Sequence, residues 1–181
     1  MEKVTHTFEP VYDQNSRILI LGTFPSVKSR ENRFYYGHPQ NRFWKVTAAL
    51  LGVSVPETTE EKKDMLLAGH IAVWDVIASC EIEGSSDSSI RNVVPNDIAG
   101  LLAHTNIRAV FANGRKAFEL YEKYCRSGCH KEAVCLPSTS PANAAWQLSR
   151  LTQYWQEQTA PWLRPEGDGQ KEAGRACPFR A

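Results

Sequence analysis

No stretch of this 181-residue chain approaches the roughly 18 consecutive apolar residues that a membrane-spanning helix requires. The opening segment MEKVTHTFEP is polar and lacks the apolar core of a secretory signal, so an intracellular protein, cytoplasmic or nuclear, is expected. Charge of one sign is also missing. There are 21 Lys and Arg against 20 Asp and Glu, with a net charge of +1. That balance neither demands nor forbids nucleic acid, because a small site can be locally basic on a neutral protein; Lys28, Arg30, Arg33, Arg42 and Lys45 form such a cluster. The five cysteines (Cys80, Cys125, Cys129, Cys135, Cys177) are odd in number and include no CxxC pair. Reduced thiols are therefore expected rather than a disulfide framework. Cys125, Cys129 and His130 could form one corner of a metal site, but without a second pair no zinc or iron–sulfur centre is expected. GxGxxG, GxxxxGK[ST] and GxSxG are absent too, which removes support for dinucleotide, P-loop and serine-hydrolase pockets.

What is present reads as an α/β domain spanning residues 1–164. Residues 17–22 (RILILG) form a continuous apolar run closed by Gly, as a strand covered on both faces should look. Further strands are expected at 71–77, 107–112 and 133–136. Helices are expected at 41–52 with a Gly C-cap, at 57–69, at 96–104 with Asn96 as N-cap, at 114–125, and at 141–163. The polar segment 80–96 reads as a loop. Strands alternating with helices imply right-handed crossovers and a parallel sheet between helical layers. The Gly- and charge-rich tail 165–181 has little to bury and is expected to be disordered.

In open parallel sheets, ligands sit at the carboxyl ends of the strands. There this chain concentrates its unusual residues: GTFPS…HPQN after the first strand, the segment after Asp75, the Asn113-Gly114 turn, and LPSTSPANA (136–144). Aromatics can stack on a flat base, amides can read its edge, and hydroxyls and helix-start N–H groups can grip phosphates. SPANAAW reads as such a helix start, with Pro141 in the first turn. That equipment suits an extruded nucleotide. Each residue also has a plainer reading. Asn41 can cap a helix, Asn113-Gly can be a tight turn, and Asp75 can pin its loop. Tyr35 and Tyr36 can stack or pack, and Phe43 and Trp44 read as core.

The segments LGTFPS, YYGHPQNRFW, WDVIASCEIEGSSDSSI, FANGRKAF and LPSTSPANA together resemble the uracil-DNA glycosylase superfamily, and within it the hypoxanthine-DNA (deoxyinosine) glycosylase branch. The resemblance covers about residues 15–163 and implies a three-layer α/β/α fold with a four-stranded parallel sheet. It further implies a monofunctional glycosylase that initiates base excision repair, with no metal and no cofactor. Where other branches carry a water-activating Asp or Asn in the first loop, this chain has Phe24. The resemblance therefore implies Asn41, of the HPxN element, as the catalytic residue, with its carbonyl orienting water, aided by Asn113 as donor to the leaving base. Gly22, Phe24, Tyr36, His38 and Asp75 are the implied base pocket. Ser26, Arg42, Arg115, Lys116, Ser138 and Ser140 are the implied DNA contacts, with Asn143 in the minor groove. The expected partner is double- or single-stranded DNA carrying a deaminated base, bound by a monomer. Uracil at a mismatch, a free nucleotide or nucleoside, and a catalytically silent binding module are the competing readings.

Overall fold

The structure is a computed structural model and describes residues 1–164; the expected disorder of 165–181 lies outside the described residues. Four strands build a parallel sheet: β2 (Ile18–Gly22), β3 (Ile71–Asp75), β6 (Ala109–Asn113) and β7 (Ala133–Leu136), in the order β3-β2-β6-β7. The first three and the last have every residue buried or nearly so, because layers cover both faces. Side chains alternate across the sheet. Leu19, Leu21, Ala72, Val110 and Ala112 point into one core, with Phe118 and Tyr121 of α5 (Arg115–Tyr124). Ile18, Ile20, Ile71, Val73, Phe111 and Leu136 point into the other. That second core is closed by Phe43 and Val46 of α2 (Phe43–Leu51), Leu66 of α3 (Thr59–Ala68) and Trp155 of α7 (Leu148–Leu163). The three-layer α/β/α arrangement follows.

Local chemistry explains the ends of several helices. α3 opens with a capping box in which Thr58 and Glu61 satisfy each other's backbone N–H groups. α2 stops at Gly52, whose φ of 67° suits a residue without Cβ.

Several sequence-based boundaries are corrected. The segment 80–96 is not a loop. It carries β4 (Ile77–Ile82), a 3₁₀ turn at Asp87–Ser89 and β5 (Arg91–Pro95), which with β1 (Glu2–Thr5) form a second, antiparallel sheet in the order β1-β4-β5. A short helix, α1 (Val27–Asn32), interrupts the first loop. The N-cap of α4 (Ile98–Ala103) is Asp97, which accepts from Gly100 N at 2.9 Å. Asn96 instead donates to the carbonyls of Asp75 (2.9 Å) and Ile77 (3.2 Å), tying β3 to β4. α7 starts at Leu148, so residues 141–147 supply no helix N-terminus. Cys80, Cys125 and Cys129 are free thiols. Among the described residues no group of three His, Cys, Asp or Glu could hold a metal ion, and no helix is long and apolar enough to cross a membrane.

Candidate active site

The chain leaves β2 for β3 on one side and returns to β6 on the other, so the strand order reverses between β2 and β6. A crevice opens at such a point because the two following loops diverge. Here it is a cavity of about 300 Å³, lined by residues that include Gly22, Phe24, Tyr36, Asn41, Asp75, Asp87, Asn113 and Thr139. Register sets their height. Gly22 lies opposite Asp75, and Asn113 opposite Leu136, so the carboxyl ends of all four strands deliver their last residues to one level.

Three side chains form a directed chain of hydrogen bonds across the floor. Asn113 Nδ2 donates to Thr139 Oγ1 (2.9 Å), and Thr139 N donates back to Asn113 Oδ1 (3.0 Å). Thr139 Oγ1 then donates to Asn41 Oδ1 (2.8 Å), which also accepts from Phe43 N (3.0 Å). A backbone N–H can only donate, so the Phe43 bond identifies the oxygen of the Asn41 amide and leaves Nδ2 as its other end. Two donors occupy both lone pairs of Asn41 Oδ1. The expectation that this carbonyl orients water is therefore corrected. The free capacity of Asn41 is its NH₂ group, for which no partner exists among the described residues. The capping reading of Asn41 holds in part: the flanking residue of α2 is Arg42, yet Asn41 satisfies a first-turn N–H.

Gly22 is required by its neighbours. A Cβ there would come within 2.4 Å of Asp75 Oδ1 and 3.2 Å of the Tyr36 hydroxyl. Asp75 is buried, and its Oδ2 accepts from His6 Nε2 at 2.8 Å. Tyr36 has a left-handed φ of 50° and stacks on Phe43 with ring centres 3.9 Å apart. Its buried hydroxyl makes no hydrogen bond of good geometry. Burial and then the Asp75 charge push Tyr36 far above the usual phenol range, and the nearby Asn113 side chain pulls slightly the other way. Asp87 is exposed as a residue, but its carboxyl lines the cavity. Burial pushes that carboxyl up to about 6, with Asp75 adding to the rise and Thr23 and Lys116 opposing it.

Phe24 and His38 also line the cavity. Phe24 is buried, and Arg30 lies over its ring at 5.8 Å. His38 is exposed and accepts from Gln40 N at 3.1 Å through Nδ1. Phe43 and Trp44 are core, as expected. Arg42 is corrected from a phosphate contact to a clamp. Its guanidinium donates to the carbonyls of Ser138, Thr139, Ser140, Asn143 and Trp146, and burial lowers its pKa. Asn143 is buried, with Nδ2 donating to Ser138 O at 3.0 Å, so it cannot reach a minor groove as it stands. Ser26 caps α1, while Ser138 and Ser140 accept from the N–H groups of Ser140 and Ala142. Arg115 pairs with Glu119 at 2.8 Å on the surface, and Lys116 is half-buried.

Sequence reasoning missed Thr139, His6 and Asp87. Thr139 was hidden between two equally polar serines. Asp87 lay within a quoted motif, and its segment reads as a loop. His6 lies 69 residues from its partner, and no local signal links them.

The chain matches the family model of the uracil DNA glycosylase superfamily over residues 9–161. It is 38% identical to a hypoxanthine DNA glycosylase of Methanosarcina acetivorans over 149 residues, covering 81% of this chain and 93% of that protein. A hypoxanthine DNA glycosylase of Methanosarcina barkeri is 33% identical over 145 residues, covering 79% and 90%. A solution NMR structure of a provisionally named uracil DNA glycosylase from Methanosarcina acetivorans superimposes with a TM-score of 0.70 at 35% identity. It covers 83% of this chain and 95% of that one.

Proposed function

This chain belongs to the uracil-DNA glycosylase superfamily, and from that premise we propose that it is a DNA glycosylase that excises hypoxanthine and so opens base excision repair. The observation that carries the mechanism is the Asn113–Thr139–Asn41 chain, because it leaves a donor amide at the base of a nucleobase-sized cavity. Cleavage of an N-glycosidic bond passes through an oxocarbenium-like sugar, so no strong nucleophile is needed. The departing purine develops negative charge, and preorganised donors stabilise it more than donors that must first reorient. Asn41 Nδ2 supplies that donor. Asn113, locked on Thr139 at both ends of its amide, sets the orientation. Asn41 thus takes the donor role that the resemblance implied for Asn113, and Asn113 becomes its positioning partner.

As the base leaves, water adds to C1′ of the oxocarbenium sugar, and the proton it loses passes to the departing purine anion, giving an abasic site and the free base. The protein acts as a monomer on DNA holding a deaminated base. Arg115 and Lys116, at the mouth of β6, are the proposed phosphate contacts.

The test is single-turnover base release from duplexes carrying hypoxanthine, uracil or xanthine, with alkali cleavage of the product. Hypoxanthine is expected to be released fastest. Asn41→Ala is expected to lose about 100- to 1,000-fold in rate, the usual effect of removing one such donor, and Asn113→Ala a comparable factor, with DNA binding retained. Dominant uracil release would overturn the substrate. No release of any base by a folded, DNA-binding protein would leave a binding module.

A further inference from the structure

We propose that His6 is a positioning residue: it holds Asp75 so that the second carboxylate oxygen accepts the ring N–H of a deaminated base. The inference rests on the glycosylase reading above and extends it to base selection.

The contact is built from a distance. β1 pairs with β4 in the register Glu2↔Ile82 to Thr5↔Ser79, and His6 N continues that ladder by donating to Ala78 O at 2.7 Å. The small sheet therefore carries the imidazole to the edge of the large one. Its side chain is 2% exposed. Phe8 and Tyr35 enclose the ring at centre distances of 4.4 and 5.8 Å, and Phe24 stands edge-on at 6.3 Å. A ring held on three sides has one direction in which to present Nε2, and that direction is Asp75 Oδ2 at 2.8 Å.

Asp75 has its side chain 6% exposed and ends β3 in the cavity wall. With Oδ2 taken, Oδ1 lies over Gly22 and beside the Tyr36 hydroxyl, the space that a glycine alone leaves open. A carboxylate oxygen only accepts. Hypoxanthine offers N1–H beside its C6 carbonyl, whereas adenine, from which it arises, has a lone pair at N1. An acceptor at that point favours the deaminated base and repels its parent. The same ring N–H beside a carbonyl occurs in xanthine and uracil, so the selected class is deaminated bases in general. Removing the imidazole would leave a buried carboxylate short of a partner and free to rotate, and the rotation loses the acceptor.

Binding is measured on duplexes carrying uncleavable 2′-fluoro-deoxyinosine or 2′-fluoro-deoxyadenosine. The full chain is expected to prefer the first. His6→Ala is expected to weaken binding of the inosine duplex about 10- to 100-fold, the range of a hydrogen bond to a charged group, and to leave the adenosine duplex unchanged. His6→Gln, which keeps a donor, should restore part of the preference, and Asp75→Asn should shift it toward adenosine. An equal loss on both duplexes, or no change on either, overturns the proposal. Should His6→Ala fail to fold, His6→Gln and Asp75→Asn decide the question by the same ratio. Failure of the glycosylase reading is seen separately, as absence of hypoxanthine release from unmodified DNA by the unaltered protein.

Discussion

Thr139 shows how much one hydroxyl can decide. It is fully buried and links the two amides of the candidate site, accepting from Asn113 and donating to Asn41. Without it, Asn41 Oδ1 keeps only the Phe43 N–H, and Asn113 Nδ2 is left unsatisfied in a buried position. Thr139→Val, which keeps the shape, is expected to destabilise the fold by about 1–3 kcal/mol, and to slow base release by more than its effect on DNA affinity. Thr139→Ser should recover most of both. Urea melts and single-turnover rates on the same three proteins check this. In the sequence, STS offers three adjacent hydroxyls with equal claims, and nothing local says that the middle one turns inward.

At the scale of elements, the segment 138–146 is a loop because of a side chain from another element. Arg42 takes the carbonyls of Ser140, Asn143 and Trp146, which a helix starting at Pro141 would need for its own i→i+4 bonds, and the helix begins only at Leu148. The planar fork of guanidinium makes this possible, and a lysine could not repeat it. Arg42→Ala and Arg42→Lys are both expected to expose the amides of residues 138–146 to hydrogen exchange while protection in β2 and β6 is unchanged. Base release should fall, since Thr139 rides on that loop. Unaltered protection in 138–146 would contradict the clamp. The second sheet is a related case. β1 and β5 are largely exposed, and β4 pairs with β5 through register shifts, so no clean alternation marks these strands.

At the scale of the whole molecule, the site is expected to leave a small, solvent-screened mark on folding stability, since Asp87 is exposed as a residue while its carboxyl faces the cavity. Asp87 is pushed up to about 6 from an ordinary 3.8, chiefly by burial. Between those two values the folded state holds more proton than the unfolded state. The favourable contribution is thus present below about 4 and is lost as pH rises through about 6. Asp87→Asn removes the titration. The melting temperature of the variant, relative to the unaltered chain, is expected to rise from pH 4 to pH 7. A difference that stays flat over that range would show that Asp87 does not titrate there.

The parallel sheet, its four strands and most of the helices are legible in the residues alone, because buried runs, 3.6-residue periodicity and Gly caps are local signals. The sequence also placed Gly22, Asp75, Asn113 and the 136–144 loop at the same end of the sheet, since strand direction follows from the alternation of strands and helices. Which polar atoms remain available there is settled by contacts made in three dimensions. Arg42 and the Asn41 carbonyl are satisfied by partners distant in the chain, and His6 reaches Asp75 across 69 residues. A hydrogen bond depends on positions in space to a fraction of an ångström, and spacing along a sequence does not carry that information.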